Sequence, residues 1–326
     1  MMNVQEQTNL VFIGRSDEAG KLSGIGTGNM VLNLIPNSLL FGVNTALETL
    51  VSQAYGRKDL PSCGLYLHRA WFVIACLSIP ISVSFFWAKD ILIFAGFDAV
   101  TAGETQQYIT MVIPAFIANS LGDSIDIYLI SMGINNVVAW IQLIAIPFHF
   151  LSCWLFVSHF DLGIPGAAYA INLTQVLTLV FQIVYVGGFL EQVRDAWFWP
   201  TSRTFASLWP YLKLALPGML MLFLEEVATE VLVIFAGALF DDVKVLAAQI
   251  ILVAVTQFMI MVPYGLSLAA VQMVGHALGA NKPNLAVANC KLFFQFTTIF
   301  NMIVALALIL SKSAIINLFT DDSEVI

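Results

Sequence analysis

Six carboxylic acids stand inside stretches of the chain that are otherwise apolar: Glu48, Asp123, Asp126, Glu225, Glu226 and Glu230. A charge at mid-bilayer depth costs at least about 2.5 kcal/mol, so each of these acids needs a partner, a proton or a polar cavity. A carboxylate stripped of water takes up a proton more readily. Such a group holds either a proton or a positively charged ligand, and that exclusion is the chemistry an ion-exchange site requires. On a helix Glu226 and Glu230, four apart, stack on one face, while Glu225 lies about 100° round from Glu226. Asp123 and Asp126 stand three apart with Tyr128 beyond, and suit either a hydrogen-bonded packing contact or a second proton site. Glu48 stands near Arg57 and Lys58 in the chain and reads as a structural residue that steadies a loop.

Other reactive residue types form no constellation. The histidines His68, His149, His159 and His276 are scattered and lack metal-ligand spacing. The cysteines Cys63, Cys76, Cys153 and Cys290 are far apart, without a CxxC pair, which argues against a zinc site or a disulfide framework. No catalytic set, metal site or cofactor is expected, and the chain does not read as an enzyme. Asn172-Leu173-Thr174 matches a glycosylation sequon but lies inside an apolar segment and is discounted.

The elements that hold these acids are set by composition. Hydrophobic residues make up 59% of the chain and charged residues 10%, with a mean hydropathy of +0.87. Soluble domains carry about 25% charged residues, so the bilayer is the expected solvent. The net charge of −8 reflects acids gathered in loops on one side, and no nucleic-acid partner is implied. Eight segments reach the roughly 20 residues a spanning helix needs: 27–48, 66–88, 107–131, 137–158, 165–189, 208–239, 245–272 and 285–311. Backbone groups find no water in lipid, so these spans must be helices. Residues 1–15 hold only a short apolar run, Leu10 to Ile13, which reads as the tail of a further span. Pro36, Pro80, Pro114, Pro147, Pro217 and Pro263 fall within spans, and Pro217-Gly218 is expected to break its helix and widen a cavity.

Loop charge sets the orientation. Connections after the first, third, fifth and seventh spans carry Arg57, Lys58, Arg69, Arg194, Arg203, Lys213, Lys282 and Lys291 against Asp59, Glu191 and Asp195. The opposite side carries Arg15, Lys21, Lys89, Lys244 and Lys312 against Asp17, Glu18, Asp90, Asp98, Glu104, Asp161, Asp241, Asp242, Asp321, Asp322 and Glu324. Basic loops face the cytosol, which places the Tyr55-Gly56-Arg57-Lys58 turn there.

A phrase also repeats. Gly42, Ala46, Ala54 and Gly56 fall on Gly265, Ala269, Ala277 and Gly279 at an offset of 223. Ile91, Phe94 and Asp98 then fall on Ile315, Leu318 and Asp322 at an offset of 224. Both copies close a span at the basic side, so the repeats run in the same direction and each unit needs an even number of spans. Six spans separate the copies, which implies two six-helix lobes in the intact protein. The expected fold is therefore an all-α polytopic membrane protein, with about eight complete spans in this chain. Residues 1–200 would form the N-terminal lobe and its linker, and 201–326 part of the C-terminal lobe. On this reading the chain is a fragment or a truncated gene model. Within the phrase, Gln53 and Gly56 are expected to serve architecture, with Gly56 permitting a left-handed turn.

Ala46-Leu47-Glu48-Thr49-Leu50-Val51-Ser52-Gln53-Ala54-Tyr55-Gly56 resembles the signature between the second and third helices of the multidrug and toxic compound extrusion family, especially its eukaryotic branch. Gly163-Ile164-Pro165-Gly166-Ala167-Ala168 resembles that family's opening to helix six. Phe223-Leu224-Glu225 and Glu230, followed by Gly237, resemble its acidic helix seven. Pro263-Tyr264-Gly265-Leu266-Ser267-Leu268-Ala269 with Val274-Gly275-His276-Ala277-Leu278-Gly279-Ala280 resembles the exit from helix eight. His276-Ala277 departs from the asparagine-glutamate usual there, and helices ten to twelve have no counterpart here.

The resemblance implies a secondary antiporter that exports organic cations or other xenobiotics in exchange for H+ or Na+. It selects Glu225 and Glu230, while the chain's own pattern of intramembrane acids adds Glu226, Asp123 and Asp126 as further candidates for substrate or proton binding. It makes Glu48, Gln53, Gly56, Pro263, Gly265 and Gly279 architectural. It further implies a monomer in the plasma membrane or a vacuolar or endosomal membrane. A lipid-linked oligosaccharide flippase of the same superfamily is the near alternative, though the spans lack the basic centre such proteins carry. A polytopic membrane enzyme would need a clustered His/Asp or Ser/His set, and a heptahelical receptor would not repeat in sixes.

Overall fold

The computed structural model describes residues 2–14, 19–198, 200–206, 208–239 and 243–316. The described residues are mostly helical, with no strand among them. The α-helices are α1 (Met2–Gly14), α2 (Ala19–Leu32), α3 (Ser38–Gly56), α4 (Leu60–Ser84), α5 (Ala88–Phe94), α6 (Ala99–Met111) and α7 (Ile113–Ser131). They continue with α8 (Asn135–Cys153), α9 (Gly163–Gly188), α10 (Ser202–Phe205), α11 (Leu208–Leu239), α12 (Val243–Gly279) and α13 (Pro283–Ile316). Six stretches are long and apolar enough to cross a bilayer: Leu22–Gly56, Leu60–Phe94, Asn135–His159, Gly163–Gly188, Met259–Gly279 and Pro283–Leu310. A seventh is the pair α6 and α7, bent by 53°. The remaining expected span, 208–239, is α11 itself, so every expected span has its helix or bent pair. Leu10–Ile13 belongs to α1, which is helical from Met2. Of the loop acids named above, Asp17, Glu18, Asp241, Asp242, Asp321, Asp322 and Glu324 lie outside the described residues, as does Leu318 of the second repeat.

The prolines have individual effects. Pro36 sits in a wider π-helical turn, Asn33–Asn37, that joins α2 to α3, an accommodation suited to its missing N–H. Pro114 stands just past the bend between α6 and α7, where Val112 ends one helix and precedes the next. The bend leaves backbone groups without helical partners, and Asn172 of α9 satisfies two of them. Its Oδ1 accepts from the Ala115 amide at 2.8 Å and its Nδ2 donates to the Met111 carbonyl at 2.7 Å. The residue of the discounted sequon is thus a brace across the kink. The expected break at Pro217-Gly218 does not occur, since α11 runs unbroken through both residues. Gly218 instead lets α11 approach α3, where a Cβ would collide with the Thr45 hydroxyl. Tyr211 of α11 donates its buried hydroxyl to the Val43 carbonyl at 2.9 Å, which holds the same pair of helices together.

The chain divides into two compact units, residues 1–51 with 59–223, and residues 52–58 with 224–326. In the first unit α2 packs on α6, α4 on α7, and both α7 and α8 on α9. Its core includes Ile13, Ile25, Tyr108, Phe116, Ile164 and Ile171, each at most 1% exposed. In the second unit α12 packs on α13, and the last turn of α3 meets the end of α12. Here the repeat becomes geometry. Arg57 donates its amide to the Gln53 carbonyl and Lys58 to Tyr55; 223 residues on, Ala280 donates to His276 and Asn281 to Leu278. Lys58 (φ 62°) and Asn281 (φ 57°) end their helices in the left-handed region. The left-handed residue is therefore Lys58, and Gly56 has a different task. A Cβ on Gly56 would strike the His276 backbone, so what it provides is close approach.

Candidate functional site

Two of the acids lie together on α7 and are held by neighbours from α8 and α9. Asp126, 8% exposed, accepts from the Gln142 side-chain amide of α8 and, at 2.8 Å, from the Gln182 amide of α9. Asp123 is half-buried and accepts from Asn119, one turn earlier, at 2.9 Å. The three-residue spacing carries both carboxyls to the same flank of α7. They share the wall of a cavity of about 10 Å³ with Gln175, Thr178 and Leu179 of α9. That is room for about one water molecule. Gly122 gives the Gln182 side chain its place: a Cβ there would lie 2.7 Å from Gln182 Oε1.

Gln175 extends the site beyond the acids. It lines that cavity and donates to Gln5 Oε1 of α1 at 2.7 Å. Beside Gln5 stands Glu6, 4% exposed, with one oxygen accepting from Asn33 at 3.2 Å and the other without a partner among the described residues. Nearby, His149 of α8 meets the Thr174 hydroxyl at 3.1 Å through Nδ1, and its Nε2 lies 3.3 Å from the Gln5 carbonyl. Cys153 donates to Asn9 at 3.1 Å. A line of polar side chains thus runs through the first unit from Asp126 to Asn33.

The sequence pattern does not single out Glu6, Gln142, Gln175 or Gln182, and His149 stands there only as one of four scattered histidines. A signal was there. Three glutamines interrupt the apolar segments 137–158 and 165–189, and a primary amide buried in hydrocarbon needs partners much as an acid does. Gln175 and Gln182, seven apart, fall on one face of α9.

The α11 acids belong to the second unit. Glu225 is exposed, Glu226 and Glu230 are half-buried, and Glu226 lies within electrostatic range of both others. The Thr229 hydroxyl donates to the Glu225 backbone carbonyl at 3.1 Å, leaving the Glu225 carboxylate free of that contact. Among the described residues, no lysine or arginine acts electrostatically on Asp123, Asp126, Glu226 or Glu230. Glu48 Oε1 is buried with no hydrogen-bond partner among the described residues. No cluster of three or more metal-ligating side chains occurs among them either.

Of the architectural residues, Gln53 and Gly279 meet directly, since a Cβ on Gly279 would collide with the Gln53 carbonyl. Pro263 lies within the unbroken α12, and a Cβ on Gly265 would meet open space.

Protein DETOXIFICATION 49 of Arabidopsis thaliana is 27% identical over 318 residues, 98% of this chain and 63% of its own length. Protein DETOXIFICATION 31 of the same plant is 29% identical over 304 residues, 93% of this chain and 58% of its own. The chain therefore spans about 60% of the length of these curated relatives. The crystal structure of the eukaryotic MATE transporter AtDTX14 superposes with a TM-score of 0.90 at 23% identity, covering 99% of this chain and 72% of that one. A MOP superfamily transporter from Pyrococcus furiosus superposes at 0.80 with 17% identity and the same coverages. At these identities the structural likenesses establish the fold. The family model MatE matches residues 2–155 and 217–326, most of the chain and both acid-bearing units. The chain is a multi-pass membrane protein, and it belongs to the MatE family.

Proposed function

We propose that this chain carries the ion-exchange machinery of a secondary antiporter that exports small organic cations in exchange for H+. The observation that carries this reading is that the buried Asp126 is held by two neutral side-chain amides, and no lysine or arginine acts on it, on Glu226 or on Glu230. A carboxylate fixed in apolar surroundings with no lysine or arginine beside it gains by taking a proton or a cationic ligand. Loading one displaces the other, which is coupling in its simplest form.

The two acid sets take different parts. The water-sized cavity beside Asp123 and Asp126 suits a proton-handling role. Glu225, exposed on α11, and Glu230 are the groups for the organic cation and its counter-ion, with Glu226 between them in the electrostatic sense. Na+ is the other counter-ion this donor set accepts, because carboxylate and amide oxygens suit hard cations. The lobes proposed are residues 1–200 and 201–326, with the Tyr55–Lys58 turn at the cytosolic face, in a monomer of the plasma, vacuolar or endosomal membrane.

The test is proton release in proteoliposomes, followed with a trapped pH-sensitive dye on addition of a quaternary or tertiary ammonium substrate. Glu225→Gln and Glu230→Gln are expected to abolish substrate-dependent proton flux while the protein still inserts. Unchanged flux in both variants would sink the site assignment. Exchange driven by a Na+ gradient at constant pH would replace H+ with Na+.

A further inference from the structure

The segment that links α9 to α11, residues 189–206, is bound along the side of α4. Trp197 meets Trp71 with ring centroids 6.1 Å apart at 86°, Phe198 meets His68 at 5.0 Å and 82°, and Phe205 meets Phe72 at 4.9 Å and 86°. Such edge-to-face pairs are the favoured aromatic geometry. Arg69, which stands among these rings, donates from Nη2 to the Ala206 carbonyl at 2.7 Å. A Cβ on Gly64 would strike the Ala196 carbonyl, so the segment also meets α4 through its backbone. Val193, Ala196 and Thr204, each at most 1% exposed, form its inner side.

Charges along α4 and α5 show how deep this seam lies. Residues 70–88 carry no charge, and Arg69 and Lys89 flank them within one apolar stretch, Leu60–Phe94. As helix, residues 70–88 span about 28 Å, close to the roughly 30 Å of a hydrocarbon core. Arg69 therefore marks one edge of that core. Phe72 lies about 4.5 Å inside the edge, with Phe205 packed on its ring, while His68 and Phe198 meet just outside. The linking segment thus runs at the level where a bilayer passes from acyl chains to headgroups, the level at which aromatic rings are favoured.

Its outer side divides by chemistry. Phe189, Phe205 and the first-turn Trp209 of α11 are 73%, 53% and 67% exposed. Arg194, Asp195, Thr201 and Ser202 are exposed as well. The exposed rings continue the apolar faces that α9 and α11 present to lipid. Phe189 ends a stacked ladder on α9, in which Phe181 lies 5.8 Å from Tyr185 and Tyr185 lies 6.3 Å from Phe189. Trp209 opens a stripe on α11 that goes on through Leu216 and Leu220, 49% and 57% exposed. Rings left in water would forgo the gain of burial, and the edge of the bilayer supplies it.

We propose that the linking segment is an interfacial element docked on the bilayer. Phe189, Phe205 and Trp209 enter the boundary between headgroups and acyl chains, and Arg194, Asp195, Thr201 and Ser202 face water. The partner of its exposed aromatic side is the surrounding membrane itself. This docking is independent of the exchange chemistry.

The experiment uses this chain in proteoliposomes. Spin labels are placed singly at Phe205→Cys, Trp209→Cys, Asp195→Cys and Ser202→Cys, with Cys76→Ser and Cys290→Ser removing the two exposed thiols. Collisions with oxygen, which enters lipid, are compared with collisions with a nickel chelate, which stays in water. Oxygen is expected to dominate at 205 and 209, and the chelate at 195 and 202. A label at 205 as open to the chelate as the label at 202 would overturn the proposal. Phe205→Cys gives up the contact with Phe72, so a second measurement keeps the segment intact. The fluorescence lost in Trp209→Phe, taken as the difference from the unaltered chain, should be quenched by lipid brominated near the headgroup more than by aqueous iodide. Quenching by iodide with no effect of the brominated lipid would overturn the proposal equally.

Discussion

Gly56 and Gly279, 223 residues apart in the chain, lie against each other: a Cβ built on Gly279 comes within 3.0 Å of the Gly56 Cα. The pairs around them obey the same offset. Gly56 faces the His276 backbone, Gly279 faces the Gln53 carbonyl, and 53 and 276 are themselves equivalent positions. Gly275 faces Ser52, another equivalent pair. The repeated phrase therefore packs on its own second copy about a local two-fold axis.

Gly56→Ala and Gly279→Ala should accordingly destabilise the protein to similar extents. Each forces a methyl group into the opposing backbone, which cannot rotate away as a side chain would. Overpacking of this kind costs about 1–3 kcal/mol. Thermal stability in detergent, followed by fluorescence-detected size exclusion, should fall by several degrees in both variants. The double variant should cost less than the sum of the two, because both methyl groups open the same seam. A neutral Gly279→Ala beside a damaging Gly56→Ala would rule out the shared axis.

Asn172 offers a second test, at the bend between α6 and α7. Asn172→Leu removes a donor and an acceptor at once, leaving the Met111 carbonyl and the Ala115 amide without their bonds. Each orphaned group costs about 1–3 kcal/mol. Amide exchange at Ala115 should quicken markedly, while exchange in the middle of α9 stays slow. Because its side chain is engaged on both sides inside a span, Asn172 should also carry no glycan, so digestion with a glycosidase should leave gel mobility unchanged.

Asp98 governs the start of α6 and should make that start sensitive to acid. The Thr101 hydroxyl and amide, together with the Val100 amide, hold its carboxyl below the usual carboxylate range. A depressed folded value means stability that is present above the unfolded value of about 3.9 and lost as pH falls through the folded one. After correction for intrinsic exchange, the Val100 and Thr101 amides should therefore open more often in strong acid than at neutral pH. Asp98→Asn keeps a capping oxygen and should flatten that pH dependence. A profile in Asp98→Asn that still follows the unaltered chain would remove Asp98 as the cause.

What the sequence disclosed and what it withheld divide along physical lines. The spans were legible because lipid demands long apolar helices, and the repeat because a two-fold packing needs small residues at matched positions. The bend at Val112 was not, since Pro114 alone does not say whether a membrane helix will kink. It depends on Asn172, distant in sequence, being placed to satisfy the freed groups. The continuity of α11 through Pro217 turns likewise on how closely α3 approaches Gly218. Acids were found by their cost in an apolar segment, whereas the glutamines that hold Asp126 were passed over because a neutral amide draws less attention. Glu6 was lost for another reason: α1 is too short to register as a span.

Gln142 and Gln182 make the sharpest prediction about the candidate site. Both donate to Asp126, and both have an Oε1 without a hydrogen-bond partner among the described residues. In Asp126→Asn one glutamine amide can turn over and present that oxygen to the amide donor the substitution introduces, so the network survives with its charge removed. In Asp126→Leu both glutamines lose their acceptor, at about 1–3 kcal/mol each. The asparagine variant should fold with near-unchanged thermal stability, and the leucine variant should be clearly less stable. Gly122→Ala tests the same arrangement from the side, by pushing the Gln182 side chain off its seat. If Asp126 serves only packing, Asp126→Asn will leave transport as it leaves stability. If it handles a proton, Asp126→Asn will fold normally and lose the dependence of transport rate on pH. Measuring stability and the pH profile on the same preparation separates the two.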